Sequence, residues 1–166
     1  MNPTFPVIDK ITWFTGTCLV AAAWLVVAAG TDVRAGDQQG ESHVKLTATA
    51  EKTDAAGWQT VTIKMQIDKG WHAHANPVKN EELKPNQTEV KISGAKKLEG
   101  IDIAYPPGQR MVNGTYVFQG YEGSVDIKAK VKRAPGDSGP LEITVKYVTC
   151  NESLCLPAET VKLAVK

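Results

Sequence analysis

From Ser42 onward, apolar side chains recur at every second position, and this alternation constrains the fold more than anything else in the 166-residue sequence. Val44, Leu46, Ala48 and Ala50 share one side of an extended segment, with Lys45, Thr47 and Thr49 on the other. The same pattern runs through Val61, Ile63, Met65 and Ile67, then Val90 and Ile92, and then Ile101 and Ile103. It returns in Val125 to Val131, Leu141 to Tyr147 and Val161 to Val165. Period-two alternation marks strands with one buried face. Between the runs lie turn-forming clusters such as Asp68-Lys69-Gly70, Asn113-Gly114 and Pro135-Gly136-Asp137. Short strands separated by turns, with no sustained helical period, predict a single-domain, all-β sandwich over residues 42–166.

The first 35 residues follow another rule. Lys10 is the last charge before an apolar stretch whose densest part is Cys18–Ala29, twelve residues long. That suits the hydrophobic segment of a secretory leader and falls short of the roughly 20 residues of a membrane span. Val33-Arg34-Ala35 supplies a small-residue cleavage pattern before Gly36. The expectation is a signal peptide over 1–35, with an uncleaved anchor as the alternative, and a flexible polar start over 36–41. Apart from that segment, nothing points to the membrane. Nineteen Lys and Arg against 18 Asp and Glu leave a net charge of +1, no basis for binding nucleic acid. No Ser-His-Asp grouping or phosphate-binding glycine loop is present, and no cofactor is expected.

Export leaves two cysteines, Cys150 and Cys155, in a compartment where disulfides persist. They flank a polar turn between two predicted strands, a hairpin tip at which cross-strand sulfurs come within bonding range. A ring this short removes only about 2 kcal/mol of chain entropy, against about 4.7 for a 100-residue loop. That weakens the case for a structural staple, while an exposed tip offers its sulfurs for exchange. Spacing alone leaves redox exchange, a staple and metal binding all open.

The segment Cys150-Asn151-Glu152-Ser153-Leu154-Cys155-Leu156-Pro157, with Tyr147 before it and Glu159-Thr160-Val161 after it, resembles the redox hairpin of a known family. The family is the N-terminal periplasmic domain of the thiol–disulfide interchange protein DsbD. Gly70-Trp71-His72, Tyr105-Pro106 and Tyr121-Glu122-Gly123 resemble it as well. The resemblance implies an immunoglobulin-like domain, periplasmic and bacterial, that relays electrons from a membrane-embedded donor to thioredoxin-fold proteins through a reversible Cys150–Cys155 disulfide. It implies that Cys155 forms mixed disulfides and Cys150 resolves them. Full-length members carry a multi-span membrane domain and a thioredoxin-like domain, so either separately encoded partners or a stand-alone exchange role is expected here. The alternative is an extracytoplasmic sandwich that binds protein or copper and has a purely structural disulfide.

Other residues complete the expected site. The tract from Pro106 to Phe118 is long for a simple turn and suggests a functional loop. The family covers its disulfide with an aromatic cap loop, for which Tyr116 and Phe118 are candidates; the bland alternative is an ordinary strand, Tyr116 to Phe118. Leu156 and Pro157 are expected to form an apolar docking edge. Trp71 and His72 are placed near the cysteines, although Trp71 and Trp58 read first as core aromatics. His72 and His74 point the same way in an extended segment, but two ligands are short of the three or four of a protein metal site, so no metal is assigned.

Overall fold

The computed structural model describes residues 42–166. The signal peptide expected over 1–35 and the polar start expected over 36–41 lie outside the described residues. No helix among the described residues is long and apolar enough to cross a membrane.

Eleven strands follow in order: β1 (Val44–Ala50), β2 (Trp58–Ile67), β3 (His72–His74), β4 (Glu89–Gly94), β5 (Gly100–Ala104), β6 (Gln109–Asn113), β7 (Tyr116–Tyr121), β8 (Ser124–Lys132), β9 (Leu141–Tyr147), β10 (Thr149–Cys150) and β11 (Glu159–Val165). They form three sheets, ordered β1-β2-β8-β5, β11-β9-β4 and β10-β3-β7-β6, and every pairing is antiparallel. The seven alternating runs correspond to β1, β2, β4, β5, β8, β9 and β11.

Registers follow from the alternation. Ile63 sits between Ala48 on β1 and Ile127 on β8, so three apolar residues meet on the inner face. Across the sandwich, Ile143 lies between Ile92 on β4 and Leu163 on β11. One core joins Val61, Ile63, Met65 and Ile127 of the first sheet to Val90, Leu141, Ile143 and Val145 of the second. Ala73, Ala75 and Tyr121 bring the third sheet into the same core. Each large side chain so buried contributes about 1.5–3 kcal/mol. The molecule is the all-β sandwich that the periodicity predicts, of the immunoglobulin-like type that the resemblance implies.

Two readings are corrected. Trp58, expected in the core, is exposed, and the Lys132 ammonium lies 5.9 Å from its ring centroid. The β2 alternation explains this, because Gln59, Val61 and Ile63 take the inner face and leave Trp58 and Thr60 on the outer one. The tract from Pro106 is no long functional loop. It folds as the β6–β7 hairpin, and the ordinary-strand alternative for Tyr116 to Phe118 describes it, extended to Tyr121.

The third sheet holds the cysteines, and tyrosines pin its edges. The Tyr121 hydroxyl donates to the carbonyl oxygens of Pro106 (3.1 Å) and Asn76 (3.3 Å) and accepts from the Asn76 amide. The Tyr105 hydroxyl accepts from the Val90 amide at 2.9 Å. Burial raises the pKa of both phenols, so both stay protonated, as the Tyr121 bonds to carbonyls require. These bonds account physically for Tyr105 and Tyr121 in the segments read as family-like.

Candidate functional site: the disulfide and the histidine pair

The chain leaves β9 at Tyr147, crosses at Val148 and enters the other sheet as β10, where Cys150 pairs with His72 and Thr149 with Ala73. A short turn follows. The Asn151 side-chain oxygen accepts from the amides of Ser153 and Leu154, and the Asn151 amide donates to the Leu154 carbonyl. This Asx-type turn returns the chain so that Cys155 bridges Cys150 antiparallel, and the two are joined by a disulfide. The Leu156 amide then donates to the Thr149 carbonyl and closes the hairpin base.

The two sulfurs belong to different environments. Cys150 is fully buried, at 0% exposure, whereas Cys155 is exposed. Around Cys150 stand His74, with Nε2 3.8 Å from its Sγ, and His72. Phe118 packs on both rings, tilted on His72 with centroids 5.5 Å apart and edge-on to His74 at 5.2 Å. A pocket of about 520 Å3 opens beside them, lined by both cysteines, both histidines, Tyr116 and Phe118 among others.

This environment sets the charges. Burial, reinforced by the neighbouring His72, holds the His74 pKa down at about 4 against an ordinary 6.5, and the Asn86 backbone offsets it only in part. Burial lowers the His72 pKa as well, against the pull of Glu122. Both imidazoles are therefore neutral near pH 7, able to give or take a proton or to donate a lone pair.

The expected site residues separate into two groups. Cys150, Cys155, His72, Tyr116 and Phe118 line one pocket. Phe118 is buried against the histidines, while Tyr116 is 42% exposed at the start of β7. Leu156 is half-buried and Pro157 exposed, immediately after Cys155. Trp71 stands apart from that pocket, half-buried and stacked on His43 at 3.8 Å. The fold also adds residues that no local motif signalled. Leu83, Asn86 and Val148 line the pocket, and Leu154 holds an apolar side chain, 49% exposed, at the hairpin tip.

Comparison with known proteins follows the same division of fold and cysteines. The family model described as the N-terminal domain of thiol:disulfide interchange protein DsbD matches residues 40–166. No curated protein sequence matches the chain significantly. Among solved structures, the chain is similar to the N-terminal periplasmic domain of ScsB from Proteus mirabilis, with a TM-score of 0.54, 16% identity and 73% of this chain covered. The match spans 44% of that longer chain. A weaker likeness is to the reduced N-terminal domain of DsbD from Neisseria meningitidis, with a TM-score of 0.44, 13% identity and coverage of 69% of this chain and 80% of that one. A strand sandwich, a disulfide at its hairpin tip and a family model spanning both lead to one conclusion: the chain belongs to the family of the DsbD N-terminal domain.

Proposed function

We propose that the protein is a periplasmic thiol–disulfide exchange module of a bacterium, passing electrons from a membrane-embedded donor to thioredoxin-fold partners through a reversible Cys150–Cys155 disulfide. The exported form begins at Gly36, after removal of the leader. Family membership supports the exchange chemistry, and one observation supports the division of labour. Cys155 is exposed while Cys150 is buried beside His74, so an incoming thiolate has access to one sulfur only.

Exchange requires the attacking sulfur, the attacked sulfur and the leaving sulfur to lie in line. Attack on Cys155 Sγ makes Cys150 the leaving thiolate, which departs into a pocket where the neutral His74 ring is within contact distance. Reduction of the domain then consumes two electrons and two protons from the donor dithiol. In the forward transfer, the Cys155 thiolate attacks the partner disulfide and forms a mixed disulfide. Cys150 attacks Cys155 Sγ in turn, and the partner leaves with both of its thiols. Leu154, Leu156 and Pro157 flank Cys155 as the apolar edge against which a partner sits.

The test is covalent trapping. Cys150→Ala lacks the resolving sulfur and should accumulate a mixed disulfide with a thioredoxin-fold partner through Cys155. Cys155→Ala should accumulate little. A wild-type potential below about −300 mV, with no trapping by either variant, would instead identify a structural staple.

A further inference from the structure

The sequence argument against a metal site counts two ligands, His72 and His74. The fold supplies more. β3 is extended, so both imidazoles project to one side, and β10 lays Cys150 directly opposite His72. One donor atom from each of His72, His74 and Cys150 lies within 4.8 Å of the other two. Cys155 Sγ is bonded to Cys150 Sγ, so reduction releases a fourth donor at the same place.

Two further observations mark these side chains as ligands in waiting. His72 Nε2 is buried with no hydrogen-bond partner, although buried polar atoms are nearly always satisfied. The residue His74 is 2% exposed, with its Nε2 held 3.8 Å from Cys150 Sγ. The disulfide sulfurs themselves are poor donors. Two thiolates with two imidazoles are a tetrahedral S2N2 set, which selects thiophilic d10 ions.

We propose that the reduced protein binds one thiophilic d10 cation, Zn2+ or Cu+, through His72, His74, Cys150 and Cys155, and that the oxidised protein does not. Metal–sulfur and metal–nitrogen bonds of about 2.3 and 2.0 Å set ligand separations of roughly 3.3–3.8 Å in a tetrahedron. The spread of the His72, His74 and Cys150 donors closes to that by about 1 Å of side-chain movement, and the two sulfurs, once reduced, part from bonding distance by roughly 2 Å. Binding itself moves no electrons: each thiol loses its proton to solvent and each sulfur forms a bond to the metal. The two electrons that open the disulfide come beforehand, from a dithiol or a phosphine. An occupied site holds both sulfurs, so metal binding and thiol exchange exclude one another. That consequence rests on the exchange function proposed above; the binding does not.

The experiment titrates phosphine-reduced, anaerobically desalted protein with Zn2+ by calorimetry, and in parallel with Cu+ against a chromogenic Cu+ chelator. The expected result is saturation at one ion per chain by at least one of the two, and no saturable binding by oxidised protein. His72→Gln and His74→Gln should each weaken binding by about tenfold or more, in line with the loss of supporting groups around metal sites. His72 is only half-buried, so its variant tests the site without endangering the fold, and thermal unfolding of the oxidised variants checks both. No binding of either ion, equal binding by oxidised protein, or histidine variants that bind like wild type would each overturn the proposal. Trapping through Cys155 in the presence of a chelator reads the exchange function separately, so failure of one leaves the other measurable.

Discussion

His74 Nε2 lies 3.8 Å from Cys150 Sγ, joining a buried imidazole on β3 to a buried sulfur 76 residues further along the chain. The burial that this packing brings, with His72 close by, makes the stability of the oxidised domain depend on a ring that must stay neutral. The folded pKa of His74, about 4, lies below its unfolded value of 6.5. Between those values the unfolded chain binds more protons than the folded one, so folding stability falls as the pH falls. The stabilising effect is complete above pH 6.5 and is lost as the pH drops towards 4, amounting to about 3 kcal/mol. Urea unfolding of the oxidised protein from pH 7.5 to 4 should show this slope. His74→Gln, which cannot titrate, should flatten most of it, and an unchanged slope would exclude His74 as its origin.

A second ionisable group is buried near the start of β2. Arg133 donates from Nε to the Gln59 side-chain oxygen at 2.6 Å, and from Nη1 to the Gly139 carbonyl at 2.9 Å and to Asp137 at 3.4 Å. Both side chains of the ion pair are only 4% exposed. Arg133→Met leaves the Asp137 carboxylate buried without its cation, a change that costs about 3–5 kcal/mol. The midpoint of urea unfolding should fall accordingly. A loss under 1 kcal/mol would mean that Asp137 finds water once the guanidinium is gone.

Gly108 lies where the chain entering β6 packs closely against its neighbours. A Cβ there would stand 2.6 Å from the Ala75 Cβ and 2.9 Å from the Gln119 Cβ, both held by the backbone rather than by a movable chain end. Gly108→Ala should therefore destabilise the oxidised domain by about 1–3 kcal/mol through overpacking. Adding Ala75→Gly should restore part of that loss. The double variant measured beside both singles supplies the coupling.

The sandwich was legible in the sequence because long strands with one buried face announce themselves by alternation, as Val61 to Ile67 and Leu141 to Tyr147 do. The sheet carrying the site was not. β3 and β10 are three and two residues long, too short for any period to appear. Their pairing, Cys150 with His72, is a tertiary fact with no local signal. The bonded pair Cys150 and Cys155 could be seen because both flank one turn. The joining of His72 and His74 to Cys150 could not, which is why the histidine pair read as only two ligands, too few for a site. Phe118 shows the same limit: its neighbours suggested a loop, yet it is a strand residue whose burial comes from packing on imidazoles brought in by another strand.

Phe118 also supports the last prediction, which concerns the cover over the disulfide. Its ring packs on both histidines and lines the pocket that holds both cysteines, with Tyr116 beside it. This cover is one-sided, since Cys150 is buried and Cys155 is exposed. A small thiol can reach Cys155, but the reaction proceeds only as Cys150 departs as a thiolate into the pocket. Shrinking the ring admits water there and stabilises that leaving thiolate. Phe118→Leu, a milder change than Phe118→Ala with its cost of about 3–5 kcal/mol, keeps the core filled. It should speed reduction by glutathione several-fold, followed by thiol alkylation and mass spectrometry. Tyr116→Ala, which trims an exposed side chain, should speed it less. Thermal unfolding of each oxidised variant separates faster reduction from partial unfolding. Equal rates for wild type and both variants, with folding intact, would show that access to Cys155 alone sets the rate and that the aromatic cover has no part in it.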